Sequence, residues 1–544
     1  MKASLNYTDL VIILFYLTII VLWALRNRQA GSSQAYFLAG RRMTWPMVGL
    51  SLFAASVSSA TLIGQSAEAF KTGFAVYNYQ WISVLVMVFF AVFFLPFYIN
   101  NGVYTMPEFL ERRYDKRARY YFSFITIIGN VFLDAAAALY AGGMIIKLIY
   151  PAADLFVVIA ILGFIAGVYT IPGGLSSAIS AEIVQGVVLI FGSVLLAFLA
   201  VNHIGGWEVF FERLETGFWL HVVRPMSDPA VPWPGMIVGI PVLAFYFWGN
   251  NQVMVQRVLS AKSVDHGRKG VLLVGLLYLF TLFIFIAPGL VARLIPGLFE
   301  QDIPLSLFGN EVLEAGIDVN EVYPRLIMKL MPVGIMGVVL AAMISALTSS
   351  LSASLNSAST LFTMDFYQRL NPNAPNGRLV IVGKISSLVI LVIAVVWAPN
   401  IHRFGSLVDY YQEMVSYLAP PIVALFILGL FNKRVNGHGA FAGLAMSFAV
   451  SVVMLFFKSK IPLVANIHFL LFVPFLFLFG AIVTIAVSLL TRPPSRDKIV
   501  TNTWNKTYWI AETKALKGVP WYSNFRVLSV GLIIACFFMF ILFF

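Results

Sequence analysis

The sequence predicts an all-α polytopic membrane protein of about fourteen transmembrane helices. Three observations carry that prediction. The chain is 60% hydrophobic and only 11% charged, where a soluble domain holds about 25% charged residues. Apolar stretches of about 18 residues or more, enough to cross a bilayer as helix, recur from end to end. Basic residues gather in alternate connections between those stretches, as they do in cytoplasmic loops.

The expected spans are 8–26, 46–71, 75–99, 118–150, 153–171, 176–202, 234–258, 268–295, 332–368, 378–398, 405–431, 437–457, 466–491 and 526–544. Arg26, Arg28, Arg41 and Arg42 follow the first. Arg112, Arg113, Lys116, Arg117 and Arg119 follow the third. Arg257, Lys262, Arg268 and Lys269 follow the seventh. Lys433 and Arg434 follow the eleventh, and Arg492, Arg496, Lys498, Lys506, Lys514 and Lys517 the thirteenth. The intervening loops carry Glu208, Glu212, Glu300, Asp302, Glu311 and Glu314 instead. The positive-inside rule then puts both termini outside. The net charge of +12 is therefore a topology signal, and no nucleic-acid partner is expected.

The first span lacks a small-residue cleavage pattern and has its basic flank on the C-terminal side, so it reads as a retained helix. Residues 105–121 form a basic amphipathic helix expected along the inner surface. Residues 203–233 and 296–331 are the longest outer loops. The stretch 492–525, with Pro493 and Pro494, is an inner linker. Cys536 is the only cysteine, which excludes a disulfide framework or a cysteine metal site. No segment carries a phosphate loop or a nucleophile–histidine–acid set, so neither ATP hydrolysis nor enzymatic catalysis is expected. Short loops without a large external domain point to a multi-pass protein of a plasma membrane, the bacterial inner membrane in particular.

Two spans look interrupted. The second reads SLFAASVSSATLIGQS over 51–66, and the seventh AFYFWGNNQVMVQR over 244–257. They open two consecutive groups of five spans. Polar breaks at matching positions of two halves point to an inverted-repeat transporter with its site at the midplane. Incidental Ser and Gly, which membrane helices tolerate, is the competing reading.

The ninth span contains SALTSSLSASLNSAS over 345–359. An unpaired hydroxyl is costly at membrane depth. On a helix Ala346, Ser349 and Ser350 share one face. Hydroxyl oxygens with no cysteine or histidine nearby suit a hard cation. Close packing through small residues explains the same pattern, and this segment alone leaves both readings open. Asp134 interrupts FLDAAAALYAGG in the fourth span, where a carboxylate is costly. It suits substrate hydroxyls or an amine and opposes an anion, or else it pairs with a neighbouring helix.

These residues are familiar together. SLFAASVSSATLIG (51–64), VYTMPEFLERRY (103–114), YTIPGGLSSAISAEIVQ (169–185), FWGNNQVMVQRVLSAKS (247–263), SSLSASLNSASTLFTMDFY (349–367) and YYQEMVSYLAPPIVALFILGLF (410–431) run in family order. The chain resembles the sodium/solute symporter family, in particular its sodium–glucose cotransporter branch. The resemblance implies a LeuT-like five-plus-five inverted repeat with one leading and three trailing helices. On that basis 1–45 holds the leading helix and inner loop, 46–202 the first repeat, and 203–233 an outer loop. Residues 234–431 form the second repeat, 432–491 trailing helices, 492–525 the inner linker and 526–544 the final helix.

The resemblance also implies sodium-coupled import of a small polar solute by alternating access, with sodium as the co-transported ion and a monomer sufficient. A monosaccharide or polyol is expected, with a sialic acid, a nucleoside or a passive solute channel as alternatives. The implied sodium ligands are the carbonyls of Ala54, Val57 and Ala346 and the hydroxyls of Ser349 and Ser350. Glu182 falls at an acid position that serves a second sodium in some relatives, and is a candidate for that or for ion release. The implied substrate set is Thr61, Gln65, Gln80, Trp81, Asp134, Phe247, Tyr278 and Gln412. Where the sugar carriers commonly present Gln, Glu, Asn and Lys, the corresponding positions here read Thr61, Gln80, Ala244 and Tyr278, Gln412 matches the family, and Phe247 takes the place of an aromatic inner gate.

Overall fold

The structure, a computed structural model, describes residues 6–26, 33–57, 59–150, 152–215, 219–228, 230–299, 303–404, 407–457, 460–461 and 467–542. Among them there is no β-strand. Ten helices are long and apolar enough to cross a membrane, or eleven when Val264–Leu279 and Leu282–Ala292, bent by 41°, count as one. The expected fourteen spans are therefore an overcount, and the arrangement agrees with a core of five plus five helices.

Local backbone breaks account for the difference. A hydropathy window registers apolarity but not interruption. The windows at 46–71, 153–171 and 234–258 hold the short apolar helices Trp45–Ser56, Leu155–Val168 and Gly235–Asn250. The first stops where Val57 leaves helical geometry at φ −92°, ψ 72°. The second precedes Pro172, which has no N–H to donate, and Gly174 at φ 62°. A Cβ on Gly174 would lie 2.6 Å from the Tyr36 carbonyl, so only glycine fits that close approach. The third ends at Asn251, extended at φ −64°, ψ 124°.

The serine helix, Ile335–Leu361, is buried on nearly every face. It packs against the leading helix Tyr7–Arg26, the crossing helix Leu155–His203 and the helix Asn376–Trp397. Its start is capped from another element. Asp9 accepts from the N–H groups of Gly334 at 2.7 Å and Gly337 at 2.9 Å, placing an anion at a helix N-terminus. Asn376–Trp397 shows the opposite side of the same logic. Ile381, Ile385, Leu388, Val392 and Val396 form an exposed apolar stripe, while Gly383, Ser387, Ile390 and Ala394 are buried. That stripe faces lipid.

On the side carrying the basic connections, residues 105–121 do not lie along the surface as expected. Arg113 is fully buried and donates to the carbonyls of Gly429, Asn432 and Val435 at 2.7–3.1 Å. Arg119 reaches Asp365 at 2.5 Å, and Asp365 also accepts from Thr105 at 2.8 Å and from Ser123. Buried carbonyls and a buried acid, rather than lipid headgroups, are what these arginines meet. The inner linker docks here too. Glu512 binds Arg268 at 2.5 Å and Arg526 at 3.2 Å, with the Arg268 guanidinium 3.9 Å above the Phe525 ring.

On the opposite side, the loop after residue 218 closes over the start of the next helix. The Trp219 carbonyl accepts from the Phe74 N–H at 2.7 Å, and Asn78 donates to the Val222 carbonyl at 2.8 Å. Arg293 lies between the Phe70 and Trp219 rings, 4.9 and 5.0 Å from their centroids.

Candidate functional site

The broken helix comprises Trp45–Ser56 and Ser59–Thr72. At its break the backbone ladder is interrupted, although the Val57 N–H still reaches the Phe53 carbonyl at 2.9 Å and Thr61 donates to the Ser56 carbonyl at 3.1 Å. The serine helix packs against both halves. Ala54, Val57 and Ala346 are all buried.

The hydroxyls along the serine run divide into three kinds, of which Ser352 and Ser357 bond to side chains of other helices, Thr170 and Asn130. Thr348, Ser354, Ser359 and Thr360 bond back to carbonyls of their own helix at 2.6–3.2 Å. Ser349 and Ser350 have buried oxygens with no hydrogen-bond partner. A hydroxyl that declines an available backbone carbonyl in a buried site has lone pairs to offer. Ser350 lines the same cavity as Ala55, Ser56 and Thr61, beside the break. An alkali ion, a hard cation wanting several oxygens, suits that donor set.

Glu182 is fully buried and already engaged. Its carboxylate binds Arg257 at 2.5 and 3.2 Å and accepts from Ser51 at 3.3 Å. This ties the crossing helix to the broken helix and to the short helix Gln252–Leu259.

A cavity of about 220 Å³ opens against the break. Thr61, Gln65, Gln80, Asp134, Phe247, Tyr278 and Gln412 all line it, as does Ala244. Two of these sit in π-helical turns, Asp134 in Gly129–Ala135 and Phe247 in Tyr246–Asn250. Such turns re-aim the side chains that follow and recur at functional sites. Asp134 accepts from the Tyr411 hydroxyl at 3.0 Å. Gln80 and Gln65 meet amide to amide at 3.1 Å in the orientation that also lets Gln80 donate to the Val76 carbonyl at 3.0 Å. Trp248 stands edge-on to both Phe247 and Tyr278, with centroids 5.1 Å apart in each case.

Trp81 stands apart from the cavity. Its indole donates to Asn78 at 2.8 Å and packs on Phe540 at 5.3 Å, and its carbonyl faces the buried Cys536 thiol at 3.7 Å. Among the lining residues there is no lysine, arginine or histidine. The side chain of Asp409 lies outside the described residues.

Sequence reasoning singled out neither Tyr411 nor the partner of Glu182. The available signal was general. An acid within an apolar span demands a partner, but which of the distant polar residues supplies it is set by helix packing.

Residues 36–447 match the family model described as "Sodium:solute symporter family". The chain is 32% identical to sodium/glucose cotransporter 1 of Ovis aries, over 90% of this chain and 79% of the relative. It is 33% identical to the sodium/myo-inositol cotransporter of Homo sapiens, over 93% and 76% respectively. Its fold is similar to the substrate-bound outward-open structure of a Na+-coupled sialic acid symporter. The TM-score is 0.78 at 21% identity, covering 90% of this chain and 99% of that one.

Proposed function

Because the chain belongs to the sodium:solute symporter family, and so is a sodium-coupled secondary transporter of a small polar solute, we propose that it imports an uncharged polyhydroxylated compound, a monosaccharide or a polyol. The observation that carries this reading is the chemistry of the cavity. One carboxylate, four side-chain amides and several tyrosine hydroxyls face it, with no cationic side chain among its lining residues. Hydroxyl groups satisfy such a wall, and a site built to bond them rejects analogues that lack them. Asp134 repels an anion, which disfavours a sialic acid even though a sialic acid symporter shares the fold. The glucose and myo-inositol cotransporters among the similar proteins support the same solute class.

In this reading Thr61, Gln65, Gln80, Asp134, Tyr278 and Gln412 hold the solute, and Phe247 closes over its less polar face. Sodium lies between the carbonyls of Ala54, Val57 and Ala346 and the hydroxyls of Ser349 and Ser350. The ion bridges two helices, so its presence biases one conformation over the other, which is what coupling requires. The protein resides in a plasma membrane as a multi-pass chain. Short connections favour a bacterial inner membrane, and a cavity built from one chain favours a monomer as the working unit.

Thermal-shift measurements across sugars, polyols, sialic acids and amino acids, with and without sodium, test the reading. Stabilisation by a neutral polyol that grows with sodium is expected. Stabilisation by sialic acids alone would overturn the solute class. Asp134→Asn is expected to weaken solute affinity about tenfold, the loss of one charge-assisted hydrogen bond, with sodium half-saturation unchanged.

A further inference from the structure

Arg293 follows the short helix Ala287–Ala292 on the side opposite the basic connections, and it is 7% exposed. Its Nη2 donates to the carbonyls of Pro304, at 3.0 Å, and Leu307. Its Nε and Nη1 have no partner. Arg113, buried more deeply still, instead places each of its three nitrogens on a carbonyl. Arg293 is the one described arginine with two buried nitrogens unmet.

A cavity of about 190 Å³ opens at this guanidinium, and it shares no lining residue with the solute cavity. Its wall takes Phe70 from the outer half of the broken helix, Arg213 from the helix Trp207–Glu215, and the chain from Ala292 to Phe299. No carboxylate stands among the described lining residues. Carbonyl oxygens of the same loop would repel an anion, but they are already spent on cations. Lys329 donates to the Pro296 carbonyl at 2.6 Å and Arg325 to the Leu298 carbonyl at 3.4 Å, while Arg293 itself takes Pro304 and Leu307. Arg325 also pairs with Glu321 at 2.5 Å and lies 4.9 Å from the centroid of the Phe299 ring. What is left facing the cavity is donor chemistry. A buried charge without a counter-charge is costly, and unmet N–H groups add to that cost. An acceptor-only ion relieves both, and one unpaired guanidinium calls for one negative charge.

We propose that this cavity binds a small monovalent anion from the outer solution, chloride in kind. The anion supplies the counter-charge to Arg293 and fastens the chain around it to Phe70 and Trp219, whose rings lie 4.9 and 5.0 Å from the guanidinium. Phe70 belongs to the outer half of the broken helix, so an anion here steadies the outer cap against an element of the solute site without touching the solute.

The purified full-length protein, melted at fixed sodium and ionic strength while chloride replaces methanesulfonate, tests this. The melting temperature is expected to rise with chloride and to saturate, as binding requires. Arg293→Gln should lose that rise entirely while keeping its stabilisation by sodium. A wild-type protein whose melting temperature ignores chloride, or drifts upward without saturating, overturns the proposal. So does an Arg293→Gln variant with the wild-type response. Occupation of the site by the chain's own Glu300 or Asp302 would give the first of these results. Where Arg293→Gln fails to fold, the fluorescence of the wild-type protein decides. Iodide, a quenching stand-in for chloride, should quench Trp219 saturably, chloride should relieve the quenching, and Trp219→Phe should lose that component. Quenching that is linear in iodide, or indifferent to chloride, overturns the proposal.

Discussion

Replacing Ser349 and Ser350 together by alanine will abolish sodium-driven accumulation while leaving the protein folded and inserted. Both hydroxyls are buried and unpartnered, so their removal breaks no hydrogen bond within the protein. Deleting an unmet polar group is neutral or stabilising for folding. The cost falls on the ion, which loses both hydroxyl ligands expected of it. Its size follows from the gradients. One sodium moving down a tenfold gradient releases about 1.4 kcal/mol, and crossing 100 mV adds about 2.3 kcal/mol. Their sum supports an accumulation ratio of about 500 at one ion per solute. The double variant should fall to a ratio near one, with downhill entry persisting. Proteoliposome uptake with and without an imposed sodium gradient measures this. A variant that still concentrates solute with wild-type sodium dependence would show the ion to lie elsewhere.

The second large effect is expected at Arg257. Its ion pair with Glu182, at 2.5 Å, has both partners fully buried. Breaking such a pair from one side leaves an uncompensated charge and costs about 3–5 kcal/mol. Arg257→Met should therefore lower the melting temperature and the yield of monodisperse protein sharply. Glu182→Gln removes the charge that needed compensating. The combination Glu182→Gln with Arg257→Met should recover most of the loss, because a buried pair replaced on both sides is often near neutral. The double-mutant cycle, read from melting temperatures in detergent, gives the coupling between the two. A combined variant as unstable as Arg257→Met alone would show that Arg257 acts through its bond to the Val253 carbonyl rather than through Glu182.

The general architecture was legible because it follows from properties that accumulate along the chain. Apolar length and the alternation of basic loops specify a polytopic helical protein without knowledge of any contact. The two interrupted stretches and the hydroxyl run at 345–359 were legible for a related reason, since polar groups at membrane depth are conspicuous against hydrocarbon. Asp134 stood out on the same ground, and it lines the cavity.

What escaped was whatever depends on a single backbone angle or a distant partner. The break at Val57, the Gly174 kink and the extended Asn251 shorten three apolar stretches that a hydropathy window counts as whole. Residues 105–121 carry the pattern of a surface helix, but the carbonyls that draw Arg113 inward lie more than 300 positions away. Trp81 adjoins Gln80 in sequence, yet successive residues on a helix point about 100° apart. Gln80 consequently faces the cavity while Trp81 faces Phe540.

The placement of Cys536 has a practical consequence. The chain's single thiol is wholly buried against the Trp81 carbonyl, beyond the reach of water-borne alkylating reagents. The native molecule is thus a near-blank background for labelling chemistry. Cysteines introduced singly along the cavity would report solvent access with little competing signal, and spin-labelled pairs across its two ends would follow each gate through the cycle in an otherwise unaltered chain.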